Sequence, residues 1–88
     1  MRTFTYRITD PLGIHARPAA LLAKEAAAFA DTAITVEKVA LAKAAEAGQL
    51  LRLMSLGIRQ GDEIRVTATG RQEDAAIAAL EAFFHAHL

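Results

Sequence analysis

The sequence predicts an α+β fold in which helices cover one face of an open β-sheet and the other face meets water. Three segments alternate apolar and polar residues, a pattern typical of strands with one buried face. Helical segments with a single apolar stripe also occur along the chain. The order is strand, helix, strand, strand, helix, strand, helix, and 88 residues have room for one such two-layer domain, over residues 1–88.

The N-terminal part of the chain predicts a strand followed by a helix. "TFTYRIT" alternates, with Phe4, Tyr6 and Ile8 on its apolar face, and "DPLG" then favours a loop. Residues 16–30 predict a helix, because apolar residues recur there at three- and four-residue spacing. The buried stripe of this helix is predicted to be Ala19, Leu22, Ala23, Ala26, Phe29 and Ala30.

The middle of the chain predicts two strands and a short helix. "DTAITVE" alternates and predicts a strand with Ile34 and Val36 inward. Residues 39–43 are interpreted as a short strand, although alanine-rich sequence forms strands poorly. A short helix is predicted over residues 44–55, or from Gly48 onward, because a glycine weakens a helix interior.

The C-terminal part predicts the last strand and the last helix. "EIRVTAT" alternates, with Ile64, Val66 and Ala68 inward. The helix that follows carries Glu73 and Asp74 in its first turn, where negative charge is favoured. Its core stripe is predicted to be Ala76, Ile77, Leu80, Phe84 and Leu88.

The composition excludes several classes of function. The chain has no cysteine, which excludes disulfides and thiolate metal sites and fits a reducing cytoplasm. Ten basic residues balance ten acidic ones, so the broad basic surface of a nucleic-acid-binding protein is absent. The first segment is not a signal peptide, and the apolar runs are too short to insert in a membrane. A cytoplasmic protein is expected.

The segment "GIHARPAA", which begins at Gly13, carries the residues best suited to chemistry. His15 lies where a loop becomes a helix, and the first backbone N–H groups there, in the region of Ala16, Arg17 and Pro18, form an anion site. Gly13 permits a tight turn, and Pro18 is tolerated in a first helical turn. Arg17 adds forked donors suited to phosphate oxygens. Because imidazole can attack a phosphoryl group, the segment indicates a phosphoryl relay through phosphohistidine.

Other interpretations of this segment stay open on spacing alone. A histidine at a helix start can be a cap or a solvated loop residue, and such a helix start binds any anion. A ligand-binding module that holds an anion without covalent chemistry is therefore a second hypothesis. An independent kinase or phosphohydrolase is disfavoured, because the sequence has no Walker-type loop or acidic Mg²⁺ pair, and nothing that positions a water or a metal.

Two motifs resemble one family. "GIHARPA" closely resembles the active-site motif of the HPr family, the histidine-containing phosphocarriers of the bacterial phosphoenolpyruvate:sugar phosphotransferase system. "LMSLGIRQGDEI", residues 53–64, resembles the second signature of that family. The resemblance implies a βαββαβα open-faced sandwich, with a four-stranded antiparallel sheet and three helices on one face. It also implies phosphorylation of His15 at Nδ1, with Arg17 assisting the phosphoryl group.

The resemblance further implies how the relay works. Phosphorylated enzyme I is the expected donor, and the IIA domains of sugar permeases are the expected acceptors. The chain would be a relay protein and not a turnover enzyme. It would bind no cofactor and no metal itself, since Mg²⁺ and phosphoenolpyruvate are used by enzyme I. A monomer is expected, because one site must face successive partners. The sequence leaves open whether the carrier serves general sugar uptake or one specialised route.

Two positions depart from the family pattern. Leu12 stands where the family often has a small polar residue, so backbone groups would have to hold the imidazole. Gln49 falls at the position of the regulatory serine that an ATP-dependent kinase phosphorylates in some family members. The single serine of the chain, Ser55, belongs to the second signature. The sequence therefore predicts no regulatory serine.

The resemblance also implies an apolar docking surface beside His15, rimmed by basic residues. Such a surface suits transient docking onto acidic partners. Alternatively, Leu51 and Met54 belong to the core and the two basic residues are solvated surface charges. The remaining histidines, His85 and His87, are two apart on a helix and do not face each other, so no role is assigned to them. The candidate docking residues are Ala20, Leu21, Lys24, Leu50, Leu51, Arg52 and Met54.

Overall fold

The computed structural model describes all 88 residues and has the predicted α+β architecture. Its elements are β1 (Arg2–Arg7), α1 (Ala16–Ala27), β2 (Thr32–Lys38), β3 (Lys43–Glu46), α2 (Leu50–Ser55), β4 (Glu63–Gly70) and α3 (Glu73–His87). The four strands form one antiparallel sheet in the order β1-β4-β2-β3. The predicted open-faced sandwich is confirmed. None of the three helices has the length and apolar character that crossing a membrane requires.

The sheet buries the face that the alternation predicts. In β4, Ile64, Val66 and Ala68 are buried, and Val66 is paired with Phe4 on one side and Val36 on the other. Polar side chains of the outer face pair across the strands, with Arg65 Nη1 2.7 Å from Glu37 Oε1. Because one face is apolar and the other polar, a shift of one residue in register would exchange them, so the pattern fixes the pairing.

The helices close the core over this face. The predicted stripe of α3 is buried throughout, and the Phe84 ring packs edge-on against Phe4 with centroids 5.8 Å apart. Leu53, fully buried, anchors α2 to the same core. Of the predicted stripe of α1, the structure buries Ala19, Leu22 and Ala26, half-buries Ala23 and Phe29, and exposes Ala30.

The end of α1 differs from the prediction. The helix was expected over residues 16–30, but it ends at Ala27. Phe29 N donates to Ala26 O at 3.2 Å, and Thr32 N donates to Phe29 O at 3.1 Å, so two tight turns reverse the chain into β2. The prediction that Ala30 is buried is wrong, because Ala30 lies in this turn. The spacing of apolar residues is compatible with Ala30 in a helix or in a turn. The helix ends where the chain has to turn back toward the sheet.

The alanine-rich segment after β2 also differs from the prediction. The strand expected over residues 39–43 is a 3₁₀ turn (Val39–Leu41), followed by Ala42 in the left-handed conformation at φ 53°. This turn reverses the chain, so the strand begins only at Lys43. Pairing with β2 then places Ala45 opposite Val36, where it is buried.

The short helix therefore starts later than residue 44. It spans Leu50–Ser55, and the alternative start near Gly48 is closer to the structure. The alanines before it have high helix propensity, but Ala47 N donates to Ile34 O at 2.9 Å and the Ala47 side chain is buried. Backbone pairing with β2 and burial together outweigh a preference worth a few tenths of a kcal/mol per residue, about 0.7 kcal/mol at most.

The ion pair between Asp62 and Lys38 has a predictable pH dependence. Asp62 Oδ2 accepts a hydrogen bond from Arg59 N at 2.8 Å and lies 3.3 Å from Lys38 Nζ. The hydrogen bond from the Arg59 backbone N–H holds the pKa of Asp62 below its ordinary value; burial opposes this effect, and Lys38 adds to the lowering. A depressed folded-state pKa stabilises the protein above the unfolded value of about 3.9, and this contribution is lost as pH falls through the folded value.

We therefore expect Asp62→Asn to reduce the acid sensitivity of the fold. The free energy of unfolding of the wild type should exceed that of the variant near neutral pH, and the gap should narrow below about pH 4. Urea unfolding at a series of pH values measures this difference in the free energy of unfolding. Asp31→Asn is the control, because Asp31 is exposed and makes no ion pair. A gap that stays constant with pH would contradict the prediction.

Candidate functional site

The loop between β1 and α1 is held by its own backbone and by Asp10. Asp10 Oδ1 accepts from Leu12 N at 2.8 Å, and Asp10 O accepts from Gly13 N at 2.9 Å. Ile14 N donates to Ile58 O at 3.1 Å, and the Ile14 side chain is buried. An aspartate that closes a turn on its own backbone is a common way to fix a loop. The loop thus presents the next residue at a defined position.

Gly13 lies against the backbone of the second signature segment. Its φ is +64°, in the left-handed region that favours glycine. A Cβ at this position would collide with Ile58 O and would lie 2.7 Å from Arg59 Cα. The two motifs that the sequence singled out are therefore in direct backbone contact, and glycine is what allows it.

His15 is the N-cap residue of α1. Its backbone is extended, with φ −109° and ψ −178°, and its side chain makes no capping hydrogen bond. His15 O accepts the first helical bond, from Ala19 N at 2.9 Å. The half-exposed imidazole is thus free of backbone partners at the positive end of a twelve-residue helix.

Two backbone donors beside the imidazole have no partner within the protein. The N–H groups of Ala16 and Arg17 precede the first helical hydrogen bond and donate to no other group of the chain. Pro18 has no N–H, so it contributes none of the donors expected from the Ala16–Pro18 region; its buried ring instead fixes the first turn. The donors available to an anion are thus two backbone groups and the exposed Arg17 side chain.

The imidazole opens onto a shallow hollow of about 190 Å³. Four of its six lining residues carry polar or charged side chains, and one of these comes from the far end of the chain. No group of three or more His, Cys, Asp or Glu side chains in the structure could hold a metal ion. Two lining residues, Asp10 and His87, have no role assigned by the sequence patterns. The hollow is lined by Asp10, His15, Arg17, Pro18, Leu21 and His87.

Comparison with known proteins identifies the family. A family model described as the PTS HPr component phosphorylation site matches residues 2–86. The chain belongs to the HPr family. Phosphocarrier protein HPr of Mycoplasma genitalium is 42% identical over 85 residues, covering 93% of this chain and 91% of that protein.

Solved HPr structures resemble the fold of this HPr chain. HPr of Thermoanaerobacter tengcongensis has a TM-score of 0.88 and 38% identity, covering 97% of this chain and 92% of that one. A structure described as an HPr dimer from the same organism has a TM-score of 0.74 and 37% identity, covering 98% and 95%. The function of the chain is therefore that of a phosphocarrier of the phosphotransferase system.

The candidate docking residues of this HPr chain lie mainly at the surface. On α2, Leu51 is 82% exposed and Met54 is 41% exposed, so the alternative that they belong to the core is wrong. Leu50 is half-buried and packs against the core. Arg52 is exposed on the same helix. On α1, which packs against α2, the exposed members are Ala20, Leu21 and Lys24.

Two further positions bear on the surface around the site of this HPr chain. Leu12, the departure from the family pattern, is 71% exposed in the loop before His15. Gln49 is the N-cap residue of α2, and its Nε2 donates to Glu46 Oε2 at 2.9 Å. Ser55 Oγ donates to the Arg52 carbonyl at 2.7 Å in the last turn of α2. The hydroxyl of the single serine thus lies at the end of the helix opposite to Gln49.

Proposed function

We propose that this HPr chain accepts its phosphoryl group on Nδ1 of His15. The single observation that carries the proposal is the pairing of an uncapped imidazole with partnerless backbone N–H groups at Ala16 and Arg17. A phosphoryl group on the imidazole brings charge of about −1.5 to −2 to this point, where the helix dipole and backbone donors favour it. The donor is phosphorylated enzyme I, and the acceptors are IIA domains of sugar permeases.

The transfer conserves one phosphoryl group. The lone pair of Nδ1 forms the new N–P bond while the bond to the donor breaks and its electron pair leaves with the donor. The imidazole must be neutral at Nδ1, so its proton is on Nε2. Backbone N–H groups and the forked Arg17 guanidinium neutralise charge on the phosphoryl oxygens. In the second transfer the same N–P bond breaks, so the site must hold the group only moderately.

The chain acts as a relay and not as a turnover enzyme. Residues 1–88 form one phosphocarrier domain that binds no cofactor and no metal, and Mg²⁺ and phosphoenolpyruvate are used by enzyme I. It works in the cytoplasm as a monomer, without nucleic acid or membrane insertion; a solved relative is nonetheless described as a dimer. Gln49 occupies the family position of the regulatory serine, so the chain has no regulatory serine.

The exposed residues of α1 and α2 form the docking surface for both partners. Leu21, Leu51 and Met54 offer an apolar centre, and Lys24 and Arg52 add positive charge around it. Positive charge at the rim accelerates the encounter with an acidic partner more than it raises the affinity. A small exposed centre suits a complex that must dissociate after each transfer.

The test is phosphorylation by enzyme I with phosphoenolpyruvate and Mg²⁺. We expect the intact mass to rise by one phosphoryl group, and the group to be lost in acid, as N–P bonds are, and mapped by peptide analysis to His15. Adding a IIA domain should discharge it. A folded protein that gains no phosphoryl group, or gains one stable to acid, would overturn the proposal.

A further inference from the structure

The hollow beside His15 has a second histidine in its lining. His87, the last residue of α3, lines it together with Asp10, His15 and Arg17. Its ring packs on Phe83 with centroids 4.6 Å apart and planes 36° apart. The ring thus rests on a buried side chain of its own helix, while the residue as a whole is exposed and lines the hollow.

The end of α3 is fastened to the loop that carries the site. Thr9 N and Asp10 N donate to Leu88 O at 2.6 and 2.9 Å, and Thr9 Oγ1 donates to the same oxygen at 3.0 Å. The Leu88 side chain is buried. Three hydrogen bonds and a buried side chain therefore set the position of His87 relative to the loop.

The charged groups around His87 are compatible with one more cation near the phosphoryl group. From the loop, the Asp10 carboxylate faces the hollow, with its Oδ1 accepting from Leu12 N. From α1, Arg17 faces the hollow, while Lys24 and Glu25 meet His87 in the adjoining groove between α1 and α3, where their charges oppose each other. On its own helix, the partial negative charge of the C-terminal end lies beside His87.

We propose that protonated His87 is a second cation for the phosphoryl group on His15. The imidazolium donates an N–H to a phosphoryl oxygen, and the proton comes from solvent. No covalent bond forms or breaks at His87. The inference rests on the proposed function and deepens it, because it makes the phosphoryl-transfer equilibrium depend on pH through a residue other than the acceptor.

The sign of this dependence follows from linkage. A group that gains a partner in the phosphorylated protein binds its proton more tightly there, so protonation and phosphorylation favour each other. Histidine ordinarily changes charge between about pH 5 and 8. The contribution of His87 should therefore favour the phosphorylated form toward the acid side of this range and favour transfer to the acceptor as pH rises.

The test compares transfer equilibria in three proteins. The equilibrium constant for phosphorylation by enzyme I is measured at about pH 6 and about pH 8.5 in the wild type, His87→Gln and His85→Gln. His85 is the control, since it lies on the same helix but packs against Tyr6, with centroids 5.0 Å apart. Every pH-dependent contribution that does not involve the substituted residue is common to all three proteins and cancels in ratios between them.

We expect the equilibrium constant of the wild type to exceed that of His87→Gln about three- to fivefold near pH 6, and the two constants to be nearly equal at the higher pH. His85→Gln should follow the wild type at both. In addition, phosphorylation near pH 6 should shift the NMR resonances of the His87 ring more than those of His85. A ratio that is the same at both pH values would overturn the inference, because a packing role does not depend on pH. Failure of the wild type to be phosphorylated would instead defeat the proposed function.

Discussion

His15→Ala is expected to abolish phosphorylation by enzyme I while leaving the fold unchanged. The substitution removes the proposed nucleophile, and loss of a nucleophile lowers a covalent transfer by more than about a thousandfold. The fold should tolerate it, because the His15 side chain is half-exposed and makes no capping hydrogen bond, whereas the backbone bond from Ala19 N to His15 O remains. Intact mass after incubation with enzyme I and phosphoenolpyruvate measures the first effect, and urea unfolding measures the second.

The matched control for this substitution is His85→Ala. His85 is the same residue type, is exposed on α3 and packs against Tyr6, outside the lining of the hollow. The His85→Ala variant should be phosphorylated to the same extent as the wild type. An acid-labile phosphoryl group on folded His15→Ala would show that another side chain accepts it and would contradict the assignment of His15.

The parts of the fold that the sequence predicted well are those where side-chain burial alone decides the conformation. In β4 every buried position follows from the local alternation, and in α3 the predicted stripe is confirmed, although the buried Phe83 lies outside that stripe. The alanine-rich segment from Val39 to Gly48 could not be predicted in this way. Its strand exists because Ala45 pairs with Val36, and that partner lies outside any local window.

The candidate site divides in a similar way. Gly13, His15 and Arg17 lie within one helix start, so their types and spacing were enough to nominate them. The opposite wall of the hollow, with His87, exists because Leu88 O accepts hydrogen bonds from Thr9. This contact joins the two ends of the chain, and no local pattern encodes it. The single signal available was a histidine in the last turn of a helix, which is by itself unspecific.

Gly13→Ala is expected to destabilise the protein by about 2–5 kcal/mol. Two costs add: a left-handed backbone costs a non-glycine residue about 1–2 kcal/mol, and a misfitting methyl group costs about 1–3 kcal/mol. The second cost is unavoidable here, since the added Cβ would collide with Ile58 O and with the Arg59 backbone, which cannot rotate away as a side chain could. Urea unfolding of the variant and the wild type measures the difference.

Gly57→Ala separates the two costs. Gly57 has the same φ of +64°, but a Cβ there would have no atom within 4 Å, so it should cost only the backbone term of about 1–2 kcal/mol. The excess at Gly13 then reports the contact between the loop and the second signature. Relief of the collision must move the loop that positions His15, and misplacement of a reacting group by about 1 Å can slow transfer a hundredfold. Phosphorylation of the folded fraction should therefore slow in Gly13→Ala. Equal destabilisation at the two glycines would mean that the Ile58 backbone moves away from the added methyl group at little cost. The contact would then not set the position of His15.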